Sequence, residues 1–232
     1  MAVPVAENPV IVAIDGPSGT GKSSTSKAVA VRLGLAYLDT GAQYRAMTWW
    51  MLENGIDVAD RAAVAAAAAK PVIVSGTDPR SPTITVDGTD VAAPIRGQAV
   101  TAAVSAVSAV PEVRTRVTGL QRAIAAEAGG GIVVEGRDIG TTVLPDADVK
   151  IFLTASAEAR AARRSAELTG KEAADVATTR ADLVRRDAAD AGRTTSPLAQ
   201  ATGAVEVDTT ELTLDQVIER VVRLVDGKRR SR

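Results

Sequence analysis

Short runs of β-branched apolar residues alternate along this chain with longer segments in which apolar residues recur at helical spacing. The first run, 10–14, ends just before a Gly-Pro pair and is typical of a buried parallel strand. A helix is predicted soon after it, from Ser23 to Leu33, with Gly34 as its C-terminal stop. Strands that alternate with helices of this length predict an α/β fold with a parallel sheet.

The alternation continues toward the C-terminus. Further strands are predicted at 36–38, 132–134, 149–153 and 205–207. Further helices are predicted at 41–53, 60–70, 98–110, 113–128, 156–168, 171–191 and from 213 to about 227. Pro111 separates two of these helices, and Gly170 ends another. A Thr213-x-x-Gln216 capping box begins the last helix, and the basic tail after it is predicted to be frayed and solvated.

One segment, from about residue 71 to 93, does not follow this alternation. The runs 71–75 and 83–86 are short and rich in Val, Ile and Thr, which predicts antiparallel strands. The Asp87-Gly88 pair after them is a turn signal. The pattern therefore predicts a small β insert between helical segments.

The amino-acid composition excludes several classes of chemistry. The chain has no His and no Cys, so a Ser-His-Asp triad, a His general base, a disulfide and a Cys/His zinc site are impossible. An enzyme of this composition must use carboxylates, Lys, Arg, hydroxyls, backbone N–H groups or a metal held by oxygen. Arg outnumbers Lys by 21 to 6, which reflects either codon bias or phosphate recognition by guanidinium groups.

Charge and hydropathy limit the partners. A net charge of −1 excludes a chain that is basic throughout, and five aromatic residues are too few for a base-stacking platform, so no nucleic-acid partner is expected. No apolar run approaches the roughly 18 residues of a membrane span, and the first residues lack the features of a signal peptide. We therefore expect a cytoplasmic protein without a membrane partner.

The segment from Gly16 to Ser23 matches the complete phosphate-loop pattern G-x-x-x-x-G-K-[ST], between a predicted strand and a predicted helix. Its glycines let backbone N–H groups turn toward a triphosphate, and the helix N-terminus adds a positive end. Lys22 is predicted to contact the β- and γ-phosphates, and the Ser23 hydroxyl to ligate Mg²⁺. The predicted ATP-binding residues are Gly16, Pro17, Ser18, Gly19, Thr20, Gly21, Lys22, Ser23 and Ser24.

Two other segments place Arg beside hydroxyl or carboxylate groups at predicted strand ends. Thr40 and Arg45 lie at the start of a predicted helix, where they form either a phosphate site or a helix cap with a solvent-facing Arg. Arg137 and Asp138 follow the strand 132–134, at the edge of the sheet where α/β proteins bind ligands. They form either a ligand site or a loop ion pair.

The charge-dense segment 156–196 is either a solvated helical hairpin or a mobile lid that closes over phosphate. Its first helix carries Arg160, Arg163 and Arg164 at neighbouring positions. Its second carries Arg186, Asp190 and Arg193 on one face.

A phosphate loop alone admits GTPases, hydrolytic ATPases and small-substrate kinases. The chain has no Asn-Lys-x-Asp motif of guanine-specific GTPases and no apolar run ending in the Asp-Glu pair of many ATPases. The motifs are compatible with three functions: a kinase for CMP, a kinase for another small acceptor such as shikimate or a different monophosphate, and a regulatory nucleotide-binding protein. The Arg groups away from the loop favour a kinase, because binding ATP alone needs no second anion site.

Taken together, these motifs resemble those of the bacterial cytidylate kinases, a family of nucleoside-monophosphate kinases, from about residue 10 to 225. The similarity is carried by IDGPSGTGKS at 14–23, DTG at 39–41 with Tyr44-Arg45, GRDIGT at 136–141, PDA at 145–147, KIFL at 150–153, Arg186-Asp187, Asp190, Arg193, and SPL at 196–198.

The resemblance implies a three-layer α/β/α P-loop fold with a central parallel sheet. It implies one nucleoside-monophosphate kinase domain, 1–232, with a core at about 9–40, 129–155 and 197–227, an NMP-binding part at 41–128 containing the β insert, and a helical lid at 156–196. It also implies transfer of the ATP γ-phosphoryl group to CMP or dCMP, with Mg²⁺ as cofactor, by a monomer.

The resemblance further assigns roles to individual residues. It implies that Thr40, Arg45, Arg114 and Arg137 hold the acceptor phosphate and that Ser105 and Asp138 contact the cytosine. It implies that Asp190 holds the sugar hydroxyls and that Arg193 contacts the acceptor nucleotide. The catalytic groups implied for the transferring phosphate are Lys22, Arg163, Arg164 and Arg186.

Two positions depart from the family pattern, which more often has Asp at Glu135 and an apolar residue at Gln43. Glu keeps the negative charge of Asp on a longer side chain. The geometry of that carboxylate toward Mg²⁺, and the choice among CMP, dCMP and UMP, are left open by the sequence.

Overall fold

The computed structural model describes residues 9–167 and 176–231. Its strands are β1 (Ile11–Asp15), β2 (Ala36–Asp39), β3 (Ile73–Ser75), β4 (Ile84–Val86), β5 (Thr89–Asp90), β6 (Ile132–Glu135), β7 (Val149–Thr154) and β8 (Val205–Asp208). Its helices are α1 (Lys22–Leu33), α2 (Thr40–Glu53), α3 (Arg61–Ala67), α4 (Gln98–Ser108), α5 (Pro111–Glu127), α6 (Ala157–Glu167), α7 (Val176–Ala191) and α8 (Leu214–Arg230).

The main sheet has five parallel strands in the order β2-β6-β1-β7-β8. Side chains alternate across it, so that Val12 and Ile14 of β1 face a core completed by α1 and α8. Ala13 faces the opposite side, where Ile132 and Val134 of β6 pack with Ala125 of α5. Helices on both faces of a parallel sheet confirm the predicted α/β/α fold.

A second apolar core lies away from this sheet. Met47 and Met51 of α2 pack with residues of α3, α4 and α5 and with Ile73, Ile84 and Val86 of the small sheet. That sheet is antiparallel, in the order β3-β4-β5, as predicted for the insert. The insert reaches the edge of the main sheet, where the Tyr37 N–H donates to the Thr77 carbonyl at 2.9 Å.

Several helix boundaries differ from the prediction by one to three residues, and the following differences have a structural consequence or cause. Pro111 is the first residue of α5 rather than a separator, because the first helical position needs no backbone donor. Helix α3 ends at Ala67 instead of Lys70. Helix α8 keeps its predicted capping box but continues through Gly227 to Arg230, so most of the basic tail is helical. Three cations in its last turn favour this extension through the helix dipole.

Part of the predicted hairpin, including the stop at Gly170, lies outside the described residues. Within the described segments, no helix is long and apolar enough to cross a membrane.

The fold generates a prediction about two left-handed glycines at the same end of the sheet. A methyl group at Gly131 (φ 98°) would lie 2.5 Å from the Val10 carbonyl oxygen, whereas one at Gly34 (φ 66°) would meet nothing within 4 Å. We expect Gly34→Ala to lower the free energy of unfolding by about 1 kcal/mol through backbone strain alone. Gly131→Ala should lower it by at least about 2 kcal/mol, since the backbone must also move. If urea unfolding shows equal losses of the free energy of unfolding in the two variants, the close approach of Gly131 to the Val10 carbonyl is contradicted.

Candidate active site

A cleft of about 290 Å³ opens where β1, β2 and β6 end. The phosphate loop between β1 and α1 forms one wall. Gly16 is required there, because a methyl group on it would lie 2.1 Å from the Leu153 carbonyl oxygen. Gly19 and Gly21 have φ angles of 81° and 82°, which favour glycine. The loop thereby brings its backbone to the N-terminus of α1, the usual position of a bound phosphate.

Lys22 lies buried within this loop. Its Nζ donates to the Pro17 carbonyl oxygen at 2.6 Å. Burial holds the pKa of the Lys22 ammonium well below its ordinary value, and the positive charge of Arg137 lowers that pKa further. A polyanion beside Lys22 would favour its charged form.

Glu135, at the end of β6, faces the loop from the neighbouring strand. Its Oε2 accepts a hydrogen bond from Ser23 Oγ at 3.0 Å, and its Oε1 accepts one from the Tyr37 hydroxyl. Burial raises the pKa of this carboxyl to about 7, and the charge of Asp39 adds to the effect.

Oxygen donors of this kind suit Mg²⁺, which usually takes one or two protein ligands together with substrate phosphates. The described residues contain no cluster of three or more His, Cys, Asp or Glu that could hold a metal by themselves. The donor set of Ser23 and Glu135 therefore fits Mg²⁺ brought in with a nucleotide.

Arg45 and Thr40 lie on α2, on the side of the cleft opposite α1. Thr40 Oγ1 donates to the Glu135 carbonyl at 2.6 Å. Arg45 donates to the Ile95 carbonyl at 3.0 Å and to Thr101 Oγ1 at 2.9 Å. Burial lowers the pKa of the Arg45 guanidinium to about 9, and the nearby positive charges of Arg186, Arg96 and Arg164 contribute.

Arg114 and Asp138 form a buried ion pair at 2.5 Å deeper in the cleft. Arg114 also donates to the Ser108 carbonyl at 3.2 Å and lies 5.3 Å from the centre of the Tyr44 ring. Burial raises the pKa of Asp138, while Arg114 opposes that rise.

Ser18 connects the loop to α6, α7 and the segment after β6. Its backbone N–H donates to Asp187 at 3.2 Å, and its carbonyl accepts from Arg160 at 3.1 Å. Its hydroxyl accepts from Arg137 at 2.6 Å. Arg160 and Asp187 also form an ion pair with each other.

Asp190 of α7 connects this group to α4. Its two carboxylate oxygens pair with Arg137, at 3.2 Å, and with Arg193. Arg193 in turn donates to Ser108 Oγ at 2.9 Å. Arg193, predicted on the same helix face as Asp190, instead lies two residues beyond the end of α7. Helix α7 and the residues just after it therefore lie across the cleft and contact both of its walls.

Most of the residues predicted for the site line this cleft. They are Ser18, Gly19, Gly21, Lys22, Ser23, Ser24, Thr40, Arg45, Ser105, Arg114, Arg137, Asp138, Arg164, Arg186, Asp190 and Arg193. Gly16, Pro17 and Thr20 do not line it but shape the loop.

Arg163 is the exception to the predicted grouping. It does not line the cleft but donates to Thr209 Oγ1 at 2.9 Å and to the Thr209 carbonyl at 2.5 Å. Arg160 and Arg164 are four residues apart and share the face of α6 that is turned toward the loop and cleft, whereas Arg163 faces the segment after β8. The prediction that placed Arg163 beside Arg164 on a phosphate does not match this geometry.

The sequence analysis also missed several residues of the site. Asp15 accepts the N–H groups of Ile139 and Gly140, each at 2.8 Å, and so fixes the π-helical turn Ile139–Val143 after β6. Tyr37, Ser108 and Asp187 contact site residues from distant parts of the chain. Asp15 and Asp187 carried a signal, because both lie within the motifs that resemble the cytidylate kinases, but neither was given a role.

Comparison with known proteins connects this geometry to a family. The family model described as cytidylate kinase matches residues 12–227. The chain is 74% identical over 227 residues to the cytidylate kinase of Streptomyces griseus, covering 98% of this chain and 97% of that protein. It is 56% identical over 220 residues to the cytidylate kinase of Nocardia farcinica, covering 94% of each.

Among solved structures, an uncharacterized protein from Eubacterium ventriosum superposes with a TM-score of 0.52 at 12% identity. The match covers 95% of this chain and 99% of that one. At this identity the likeness concerns the fold alone.

The buried ion pair generates a prediction about stability. Asp138→Ala leaves the Arg114 charge buried without its carboxylate, so we expect it to lower the free energy of unfolding by about 3–5 kcal/mol. Asp182→Ala is the control, because its pair with Arg185 is exposed and should be worth at most about 1 kcal/mol. Urea unfolding of both variants without nucleotide measures the difference. A loss at Asp138 no greater than that at Asp182 would contradict the role of the buried pair.

Proposed function

Since the chain belongs to the cytidylate kinase family, we propose that this cleft is where it transfers the γ-phosphoryl group of ATP to CMP or dCMP. The observation that supports this placement is the charge of the cleft. Eight cationic side chains and four carboxylates line it, a surplus of four positive charges. This surplus extends over both walls, from Lys22 at the loop to Arg45 and Arg114 opposite, as two phosphate-bearing substrates require.

The donor site is the phosphate loop. The residues from Gly16 to Ser24 surround the phosphates of ATP, with backbone N–H groups and Lys22 as donors. Ser23 Oγ and the Glu135 carboxylate hold Mg²⁺. Bound Mg²⁺ neutralises charge on the phosphate oxygens and orients them for transfer.

The acceptor site is the opposite wall. Thr40, Arg45, Arg114 and Arg137 bind the monophosphate of CMP. Ser105 and Asp138 contact the base, where the Asp138 carboxylate suits the exocyclic amino group of cytosine, a hydrogen-bond donor that uracil lacks. Asp190 binds the sugar hydroxyls, and Arg193, two residues after the end of α7, pairs with it.

The reaction needs little covalent help from the protein. An oxygen of the CMP phosphate attacks the γ-phosphorus of ATP, the bond from that phosphorus to the β-phosphate oxygen breaks, and ADP leaves. The attacking oxygen is already anionic, so no strong base is needed, which suits a chain without His. Lys22, Arg164 and Arg186 neutralise charge on the transferred group.

The helices α6 and α7 act as a lid over the transferred group. The contact of α7 with Ser18, and that of Arg193 just after α7 with Ser108, join the two walls and exclude water, which would otherwise compete as acceptor. We propose the same division into core, NMP-binding part and lid that the sequence suggests, in a cytoplasmic monomer that acts on nucleotides and not on nucleic acid.

An acceptor screen tests this assignment. Wild-type protein with ATP and Mg²⁺ should produce ADP rapidly with CMP and dCMP, and far more slowly with UMP, AMP and GMP. Replacing the Asp138 carboxylate by an amide, which can also donate, should narrow the difference between CMP and UMP, so Asp138→Asn is compared in the same assay. Unchanged discrimination in that variant would contradict the base contact.

Two lid arginines give a matched test of the charge-neutralising role. Arg186 lines the cleft, and burial and the neighbouring charge of Arg137 lower its pKa. We expect Arg186→Ala to lower kcat by about a hundredfold or more, comparable to the loss of a transition-state donor elsewhere. Arg163→Ala removes the same charge from the same pair of helices but outside the cleft, and should lower kcat by less than about tenfold. Equal losses in kcat, with both variants folded by circular dichroism, would contradict the assignment.

A further inference from the structure

We propose that Tyr37 is a positioning residue for Glu135, and that its hydroxyl holds the carboxylate in the orientation on which Mg²⁺-dependent ATP binding relies. This inference rests on the proposed function, because it takes Ser23 and Glu135 as the protein groups that hold the metal. Tyr37 itself does not line the cleft, so its proposed role acts through Glu135.

The first support is the hydrogen bonding of the Glu135 carboxylate. Ser23 Oγ donates to Oε2 and the Tyr37 hydroxyl donates to Oε1, so each oxygen has one donor of its own. The Glu135 main chain is also fixed, since its carbonyl accepts from Thr40 Oγ1 at 2.6 Å. With the backbone and both oxygens fixed, the carboxylate has one preferred rotation about its terminal bond.

The second support is the register of the two strands. Tyr37 pairs with Val133 and Asp39 pairs with Glu135, so Tyr37 lies two residues behind the level of Glu135 on the neighbouring strand. Two residues of a strand span about 6.6 Å, close to the distance from the Cα atom to the hydroxyl of a tyrosine. A phenol can therefore reach the carboxylate along the strand, whereas a shorter hydroxyl side chain at this position cannot.

The third support is burial. The Tyr37 side chain is fully buried, and its backbone N–H donates to the Thr77 carbonyl of the β insert. A buried phenol that lacked a partner would be costly, and so would a buried carboxylate with an unpaired oxygen. Each group therefore satisfies the other, and the insert covers the edge of β2 at Tyr37.

This arrangement gives a reason for the longer acid at position 135. The side chain of Glu is one methylene longer than that of Asp, and here its two oxygens reach donors on two different elements, α1 and β2. Tyr37 removes the extra rotational freedom that the longer side chain brings.

Tyr37→Phe tests the proposal, because it removes the hydroxyl and keeps the ring. ATP binding is measured by isothermal titration calorimetry with Mg²⁺ and with EDTA, and the ratio of the two affinities gives the Mg²⁺ enhancement. We expect Tyr37→Phe to lower this enhancement by about tenfold, the lower end of the effect of losing a partner that orients a metal ligand. The affinity for ATP in EDTA and the KM for CMP should stay within about twofold of wild type.

Tyr44→Phe is the matched control, since Tyr44 is another buried tyrosine but packs on Arg114 and not on Glu135. It should keep the wild-type Mg²⁺ enhancement. In a Glu135→Gln background the carboxylate charge is gone, so Tyr37→Phe should not lower the Mg²⁺ enhancement of ATP affinity any further.

The proposal would be overturned if Tyr37→Phe kept the Mg²⁺ enhancement of the wild-type protein. It would also be overturned if Tyr37→Phe lowered the enhancement in the Glu135→Gln background. These outcomes are distinct from a failure of the proposed function. In that case the wild-type protein itself would show no Mg²⁺-dependent transfer to CMP.

Discussion

Concentrated positive charge in a partly buried cleft is the constraint on which the rest of this structure depends. Burial lowers the pKa values of Arg45 and Arg186, and repulsion from the neighbouring arginines lowers them further. Such a site is costly to fold without an anion. The cost is offset partly by carboxylates and carbonyls, such as Asp138 for Arg114 and the Ile95 carbonyl for Arg45. We propose that phosphate groups of the substrates supply the remaining negative charge when they bind.

The parallel sheet and the helices position this charge. The phosphate loop follows β1, and α2 with Thr40 and Arg45 follows β2. Glu135 ends β6 and Arg137 follows it, so all of these residues lie at one edge of the sheet. Parallel pairing makes these three strand ends neighbours, although the residues are far apart in sequence. Ser18 then joins this edge to α6 and α7 through two hydrogen bonds, and a third connects it to Arg137 after β6. In the proposed function, Ser18 therefore lies where the donor site, the acceptor site and the lid meet.

The local features of this arrangement could be predicted from the sequence. The phosphate loop is a continuous motif flanked by a strand and a helix, so its position and local conformation could be predicted from neighbouring residues. The β insert was likewise predicted, because short β-branched runs and an Asp-Gly turn identify it locally. Helix ends were less predictable, since the extension of α8 beyond Gly227 depends on a balance of small terms.

Contacts between distant segments could not be predicted in the same way. The Ser18–Asp187 and Tyr37–Glu135 hydrogen bonds depend on how α7 packs on the loop and on the register of β2 against β6. The direction of the Arg163 side chain on α6 was also not predictable from the sequence. Adjacent positions on a helix point about 100° apart. A cluster of three arginines in the sequence therefore did not reveal that one of them faces Thr209.

The central claim is that one cleft binds the donor and the acceptor together, with their phosphates meeting near Ser18. The most direct test is inhibition by a bisubstrate analogue in which adenosine and cytidine are joined through five phosphates. A single shared cleft should bind one molecule of analogue per chain, and the inhibition should be competitive with both ATP and CMP. Inhibition that is competitive with ATP but noncompetitive with CMP, or binding of two analogues per chain, would contradict a single shared cleft.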